Sequence, residues 1–369
     1  MTETVTVIPE PGPDRLRFVD TRLEMARRAR ADGDPERAVE TLVEAIRAGL
    51  WSHSRLWSAL LSLMEQTDDY PLIRTLWLES PRRCHRDRSI VRVVARAATA
   101  AGEHDEARML LRKAILRESQ RQRRLRVKLQ RYGRWVGRQL ARLPLLGSDR
   151  NAAARRSEAL ADLGTTLGEL GVRPFLVAET LLDHASGRPP AAARTSIQLG
   201  TFSAELSAAD LRAALSRSPT FDLHRPDLRT SQLRVRHPNA VTIDLNPHHR
   251  SDDGRVWHED PATRWWHTDF ALASAELAGV PCLAPEPAER YLDERYGDWR
   301  AVPAGFDPRL DAPNAEVTDP ERFTTLLYFS LLESLAGRQR GRARRYRQLL
   351  TEHGEGSWLD RLRIAATGS

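Results

Sequence analysis

The chain has 369 residues, 57 basic against 50 acidic side chains, a net charge of +7 and 41% hydrophobic content. That length predicts two domains, and the composition excludes a disordered or fibrous chain. The basic balance favours anionic partners (nucleotides, phosphoglycans, nucleic acid or an anionic membrane face) without choosing among them. Almost every base is arginine, Lys113 and Lys128 being the exceptions. Cys84 and Cys282 stand far apart and give neither a disulfide framework nor a zinc signature, so a reducing cytoplasm is the expected compartment. The opening MTETVTVIPEPGPD lacks the basic and apolar regions of a signal peptide. No apolar run approaches the ~20 residues a membrane span needs. The expectation is a soluble protein, at most peripheral at a membrane.

Residues 1–13, polar and rich in proline, read as a flexible tail. A repeat follows. Gly33-Asp34-Pro35-Glu36-Arg37-Ala38 precedes an apolar helix ending in Ala45-Ile46, and Gly102-Glu103-His104-Asp105-Glu106-Ala107 precedes another ending in Ala114-Ile115. Asp68-Asp69-Tyr70-Pro71-Leu72 is a weaker copy midway. The alanines recur at equal offsets, and the spacing is near the ~34-residue period of tetratricopeptide-like helix pairs. Residues 14–117 are therefore expected to form three stacked helical hairpins, each turn closed by a small residue and each helix pair brought close by alanine.

Residues 118–150 read as a basic amphipathic linker helix. Within 117–142, Leu125, Leu129, Tyr132, Val136 and Leu140 fall at helical spacing among arginines, and Pro144 and Gly147 end the run. Such a helix suits an anionic membrane surface or a solvated linker docked by its apolar stripe. Nucleic acid is the least favoured partner, since no recognition motif accompanies the charge.

From 151 to 369 the texture becomes α+β. A helix over 153–170 leads to a short strand at 174–177 and a helix through Glu179–Leu182. Ser207 with Asp210 marks a helix start for 208–217. Residues 231–237 and 241–245 alternate as strands about a turn at His237-Pro238-Asn239-Ala240. Asp252-Asp253-Gly254 is a further turn, and a long helical region follows Pro320. The expected fold is a small mixed or antiparallel sheet with flanking helices, C-terminal ones included. His237, His248, His249, His258 and His267 cluster in this half, but no metal-ligand spacing links them, and hydrogen-bonded structural roles are expected for most.

Three segments, VTIDLNPHHRSDDGRVWH (241–258), RWWHTDFALASAELAGVPCLAPEPAERYLDERYGDWR (264–300) and FDPRLDAPN (306–314), occur in one order. Together they resemble the LicD/fukutin-related family of nucleotidyltransferase-fold proteins. The resemblance covers about 172–314. It implies transfer of a phospho-alcohol group from a CDP-linked donor in cell-surface glycan modification, with Mg²⁺ or Mn²⁺ held by an Asp-x-Asp strand and a later Ile-Asp strand. Glu179-Thr180-Leu181-Leu182-Asp183 falls at the family's Gly-Thr-Leu-Leu-Gly-like helix start, and Arg194–Gly200 at its aspartate strand. Arg194, Ser196 and Gln198 thus stand where acids are expected, while Asp244 matches the third carboxylate.

Magnesium prefers carboxylate oxygens, so one acid gives a poor metal site. Asp244 is the candidate catalytic and metal-binding residue. Arg194, Ser196, Gln198, Arg236, His237, His267 and Arg300 are the candidate substrate-binding residues, with Arg194 a fixed cation for phosphate. The expected ligand is a nucleotide-activated phospho-alcohol or a phosphoglycan, and the helical repeats offer a surface for a partner protein. Two classes of function follow. One is an active phospho-alcohol transferase. The other is a degenerate relative that binds its ligand without metal-assisted transfer, or a scaffold that recruits a partner enzyme. In 291–300, Tyr291 and Trp299 read as packing anchors, Gly297 as a turn and Arg300 as a residue open to phosphate.

Overall fold

A computed structural model describes residues 13–63, 70–140, 151–187, 196–218, 220–224, 232–303, 305–360 and 362, the side chains of 13, 125–140 and 224 excepted. It divides into two compact units, 1–136 with 324–369, and 137–323.

The first unit begins with the helices α1 (Pro13–Ala31), α2 (Pro35–Ala45), α3 (Ser54–Leu61), α4 (Tyr70–Glu79), α5 (Arg88–Ala100) and α6 (His104–Leu140); α2 packs on α1 and α3, and α5 on α3 and α4. Gly33 and Gly102 close the α1–α2 and α5–α6 turns at φ of +81° and +80°, which glycine reaches without steric cost. The third predicted turn begins at 68–69, outside the described residues. Ala38, Ala45, Ala107 and Ala114 are all buried, as their repeated offsets required. Several ties join residues 32 to 35 positions apart: Arg15 to the Gly49 carbonyl, Arg55 to Asp20, Arg47 to Glu79 and Arg74 to Glu106. Each is exposed or partly so and adds about 1 kcal/mol at most. Asp87 caps α5 by accepting from the Ser89 and Ile90 amides, a contribution of about 1 kcal/mol.

The expected boundary at 117 falls within α6. Helix α6 continues unbroken to Leu140, since no proline and no glycine before Gly133 interrupts it. Residues 118–140 are thus part of α6; the rest of the 118–150 segment and the side chains of its predicted apolar stripe lie outside the described residues.

The second unit is built on a sheet. Its elements are α7 (Ala152–Glu169), β1 (Phe175–Leu176), α8 (Ala178–Ala185), β2 (Ser196–Phe202), α9 (Ala208–Ser216), β3 (Asp222–His224), β4 (Leu233–Arg236), β5 (Thr242–Arg250), β6 (Arg255–Glu259), β7 (Thr263–Thr268), β8 (Ala271–Leu277), β9 (Val280–Glu286), α10 (Ala288–Tyr296), α11 (Pro308–Asp311) and β10 (Ala315–Val317). The strands run β10-β7-β6-β5-β2-β1-β9-β8, with β4 also on β5 and β3 on β4. The β2–β5 and β1–β9 pairs are parallel and the others antiparallel.

A mixed α+β unit was expected, but its ten-stranded sheet is larger than the small one predicted. The difference lies in the hairpins of β6–β7 and β8–β9, whose aromatic and alanine-rich stretches read as motif rather than as strands. The predicted turn at 237–240 is present, with the His237 amide donating to the Val241 carbonyl. Ser207 caps α9 through the Asp210 amide, as its sequence required. One face of the central strands, carrying Ile197, Leu199, Val235, Ile243 and Leu245, joins a core with Leu160, Leu163 and Leu167 of α7. Burial of each such side chain contributes about 1.5–3 kcal/mol.

Gly200 in β2 is required for a different reason. A Cβ there would sit 2.4 Å from the Phe175 ring. That ring is fully buried and packed on Phe202, His248 and Phe270, so it has nowhere to go. Gly200→Ala is expected to cost about 1–3 kcal/mol from overpacking, read as a lowered urea midpoint; an unchanged midpoint would show that the ring relaxes freely.

The C-terminal helices α12 (Pro320–Ala336), α13 (Arg340–Leu350) and α14 (Gly356–Leu359) were expected with the sheet, but residues 324–369 belong to the first unit. Helix α12 is buried nearly all round, through Leu326, Leu327, Tyr328, Phe329, Leu331 and Leu332. Such a helix needs apolar partners on every side. Glu333 pairs with Arg92 at 2.6 Å, and the Tyr328 hydroxyl accepts from Arg112 Nε at 2.8 Å and donates to Glu355 at 2.7 Å.

Candidate functional site

Three strands bring the candidate residues together. Register sets Ser196 beside Thr242 and Gln198 beside Asp244 across the parallel β2–β5 pair. Arg234 stands opposite Asp244, and Arg236 opposite Thr242, across the antiparallel β4–β5 pair. Side chains two apart on a strand share a face, so Ser196, Gln198, Asp244, Arg234 and Arg236 all project from the face opposite the Ile243–Leu245 core. The sheet therefore places the third-carboxylate position beside the strand that the resemblance aligns with paired acids.

The Asp244 carboxylate is 2% exposed and already engaged. Arg234 grips it as a fork, Nε to Oδ1 and an Nη to Oδ2 at 3.0 Å. Ser196 Oγ donates to Oδ2 at 2.9 Å. Gln198 turns its side-chain oxygen to the Glu179 amide at 3.1 Å, and its own amide donates to Thr180 Oγ1 at 2.7 Å. The amide that replaces an expected acid thus ties the start of α8 to β2. Ala178, the first residue of α8, has φ +49°, a conformation that glycine adopts more readily.

The donor set does not suit magnesium or manganese. Those ions need several carboxylate or carbonyl oxygens with free lone pairs. Here one carboxylate is neutralised by a guanidinium, one amide oxygen is committed to a backbone donor, and the third group is a hydroxyl. Among the described residues no group of three His, Cys, Asp or Glu side chains gathers to hold a metal ion. What the arrangement can do is present cations: Arg234 is 41% exposed beyond its carboxylate, and Arg236 is exposed with no ion pair among the described residues.

The other candidates are placed as follows. Arg194 lies outside the described residues. His237 is buried and turned to the opposite side, with Nε2 2.9 Å from Asp162 of α7. That orientation tethers the turn between β4 and β5 and does not join the Asp244 face. His267 is not at a cleft edge but fully inside, its ring stacked at 3.9 Å on Tyr291. Arg300 is exposed and lies over the Trp299 ring at 4.1 Å, while Trp299 itself is buried, as expected of an anchor.

A second polar cluster was not foreseen as a unit. His248, on the same face of β5 as Asp244, donates from Nδ1 to the Asn246 carbonyl (2.8 Å) and accepts from the Tyr291 hydroxyl (3.2 Å). His258 Nε2 accepts from Arg295 at 3.2 Å. His267 donates from Nδ1 to Glu294 (3.2 Å) and accepts from Asn314 (3.3 Å). Each hydrogen-bond pattern is that of a neutral imidazole protonated on Nδ1. Burial is the main cause, pushing His248 to about 3 and His267 to about 4. Burial, with His248 and Arg295 nearby, holds His258 well below its ordinary value. Burial alone would raise Glu294, but hydrogen bonds from His267 and Thr268 hold it below the usual carboxylate range.

The segment 291–300 is therefore a polar keystone. Tyr291, Glu294 and Arg295 on one side of α10 each hydrogen-bond a histidine of β5, β7 and β6 respectively, His258 Nδ1 being left without a partner among the described residues, and Gly297 ends the helix at φ +68°. Arg234 was within reach of sequence reasoning. A strand pair about a turn at 237–240 with His237 opposite Val241 sets residue 234 against 244. The histidine cluster was not, since its members come from four elements. Compared with known proteins, the chain matches no family model and no curated protein.

Proposed function

We propose that the sheet unit is a degenerate relative of the LicD/fukutin-related nucleotidyltransferase-fold proteins. In this reading it binds a nucleotide or phosphosugar in cell-surface glycan modification, on the cytoplasmic side, without metal-assisted transfer. The observation that carries it is the state of Asp244, whose carboxylate is held by Arg234 and Ser196 where the family resemblance implies a metal ligand. Arg236 and the outer side of Arg234 then supply fixed positive charge for phosphate, the guanidinium fork matching phosphoryl oxygens in place of an ion. The helix pairs, read as tetratricopeptide-like repeats on the strength of their 32–35-residue ties, add a surface for a partner protein. The basic run 117–142 adds attraction to an anionic membrane.

Calorimetry with CTP, CDP-choline and CDP-ribitol, each with and without magnesium or manganese, tests this. Binding is expected to be the same with and without metal, and Arg236→Gln is expected to weaken it about tenfold, the loss of one charge-assisted contact. Binding that requires metal and disappears in Asp244→Asn would instead support an active phospho-alcohol transferase. Absence of all nucleotide binding would leave the scaffold reading alone.

A further inference from the structure

We propose that the helical unit carries a second, separate anion site, a cavity between the start of α5 and one face of α6 that takes a phosphoryl group. The cavity has a volume of about 310 Å³, the lower end of the range for small-molecule sites. Ala114, Arg117, Glu118 and Arg121 line it from α6. Their spacing of three and four residues puts them on one helix face. Arg86, Asp87, Arg88, Ser89 and Val91 line it from the turn before α5 and from its first residues. None of these residues belongs to the unit that holds Asp244.

The lining has four guanidinium groups and two carboxylates, and the carboxylates do not satisfy the cations. Asp87 is committed to the Ser89 and Ile90 amides at 2.8 and 3.2 Å. Glu118 stands 3.9 Å from Arg88 and 3.8 Å from Arg121, attracted to both but beyond hydrogen-bond length. Arg117 donates to the His85 carbonyl, a neutral group, and Arg86 has no ion pair among the described residues. Burial, and after it the neighbouring Arg86 guanidinium, disfavours the charged form of Arg117. Arg86 and Arg117 thus line the same cavity with no ion pair to an acid among the described residues, beside the apolar Val91 and Ala114.

A dianionic phosphoryl group relieves that repulsion. Its oxygens match guanidinium forks from both helices. Glu118, only 11% exposed, limits the net charge of the site. The same chemistry occurs on a free phosphate compound and on a phosphomonoester lipid headgroup, and the experiment distinguishes them.

The full chain is titrated calorimetrically with inorganic pyrophosphate at low salt. It is also sedimented with phosphatidylcholine vesicles with and without phosphatidic acid. Arg117→Gln/Arg121→Gln is expected to weaken binding at least tenfold. Arg82→Gln/Arg83→Gln, an equal charge change at exposed positions outside the lining, is expected to change it less than twofold. Glu118→Gln is expected to tighten it. Saturable pyrophosphate binding with this pattern identifies a free ligand; the pattern on vesicles alone identifies a lipid phosphate. No binding of either probe overturns the site, as does equal loss in both double variants, which would report only overall charge. The loss caused by Arg117→Gln/Arg121→Gln is expected to be as large in an Arg236→Gln background as in the natural chain, so this result stands apart from nucleotide binding near Asp244.

Discussion

Between about pH 6 and about pH 5 the sheet unit is expected to lose about 3–4 kcal/mol of stability, before most carboxylates protonate. His248, His258 and His267 are buried and neutral, with their folded-state values pushed below the ordinary value of 6.5. A group whose value is depressed on folding contributes stability that is full above its unfolded value and is lost as pH falls. The unfolded chain takes up the protons, and the folded one does not until about pH 4 for His267 and about 3 for His248. Each histidine then contributes a slope approaching about 1.4 kcal/mol per pH unit. Against a typical total of about 5–15 kcal/mol, three such slopes are large. Hydrogen exchange of the β5, β6 and β7 amides in the full chain, measured across this range, checks the expectation. His258→Gln is expected to flatten the slope by about one third. A slope indifferent to that substitution, or histidine resonances titrating near pH 6.5 in the folded protein, would show that the cluster is open to water.

Arg234→Met is expected to destabilise the protein by about 3 kcal/mol, the lower end of the range for breaking a buried pair. The Asp244 carboxylate, 2% exposed while Arg234 covers it, then keeps the Ser196 hydroxyl as its remaining side-chain donor. The lower end applies because Arg234 is 41% exposed, so its loss admits water to the carboxylate. Asp244→Leu added to Arg234→Met is expected to restore most of the loss, since no charge is then left without a partner. Strict additivity of the two substitutions in urea unfolding would refute the pairing as an energetic unit. The functional counterpart is a gain of cation affinity. Arg234→Met combined with Ser196→Asp and Gln198→Asp places three carboxylates on one sheet face. It is expected to bind Mn²⁺ where the natural chain binds it more weakly. If this variant folds and its Mn²⁺ affinity does not rise, the β2–β5 face is not a metal site in waiting.

Much of the local structure was legible in the sequence. Gly33 and Gly102, with alanines at equal offsets, located two helix pairs, because a turn that needs positive φ and a close helix contact both select small residues. The Ser207 cap, the turn at 237–240 and the β5 strand were legible for the same kind of reason. Sequence reasoning was less informative where composition misled. The alanine-rich 271–286 is a hairpin, although alanine is a poor strand former, because pairing along β1 and between its own arms overrides propensity. The helices after residue 324 follow the sheet in sequence but belong to the helical unit, which no local pattern announces.

By itself, then, the sequence singled out Ser196, Gln198, Arg236 and Asp244, which strand register brings to one face, together with His237 and His267, which turn elsewhere. It also determined that Tyr291 and Trp299 are anchors, since bulky aromatics beside a turn glycine seek burial. Only the tertiary structure decided that Asp244 is paired with Arg234, that His237 faces α7, and that His248, His258 and His267 are neutral. The physical reason is that helix periods, caps and turns are settled by neighbours a few positions away. Charge state and pairing depend on burial and on strand register, which are set by groups brought together from distant parts of the chain.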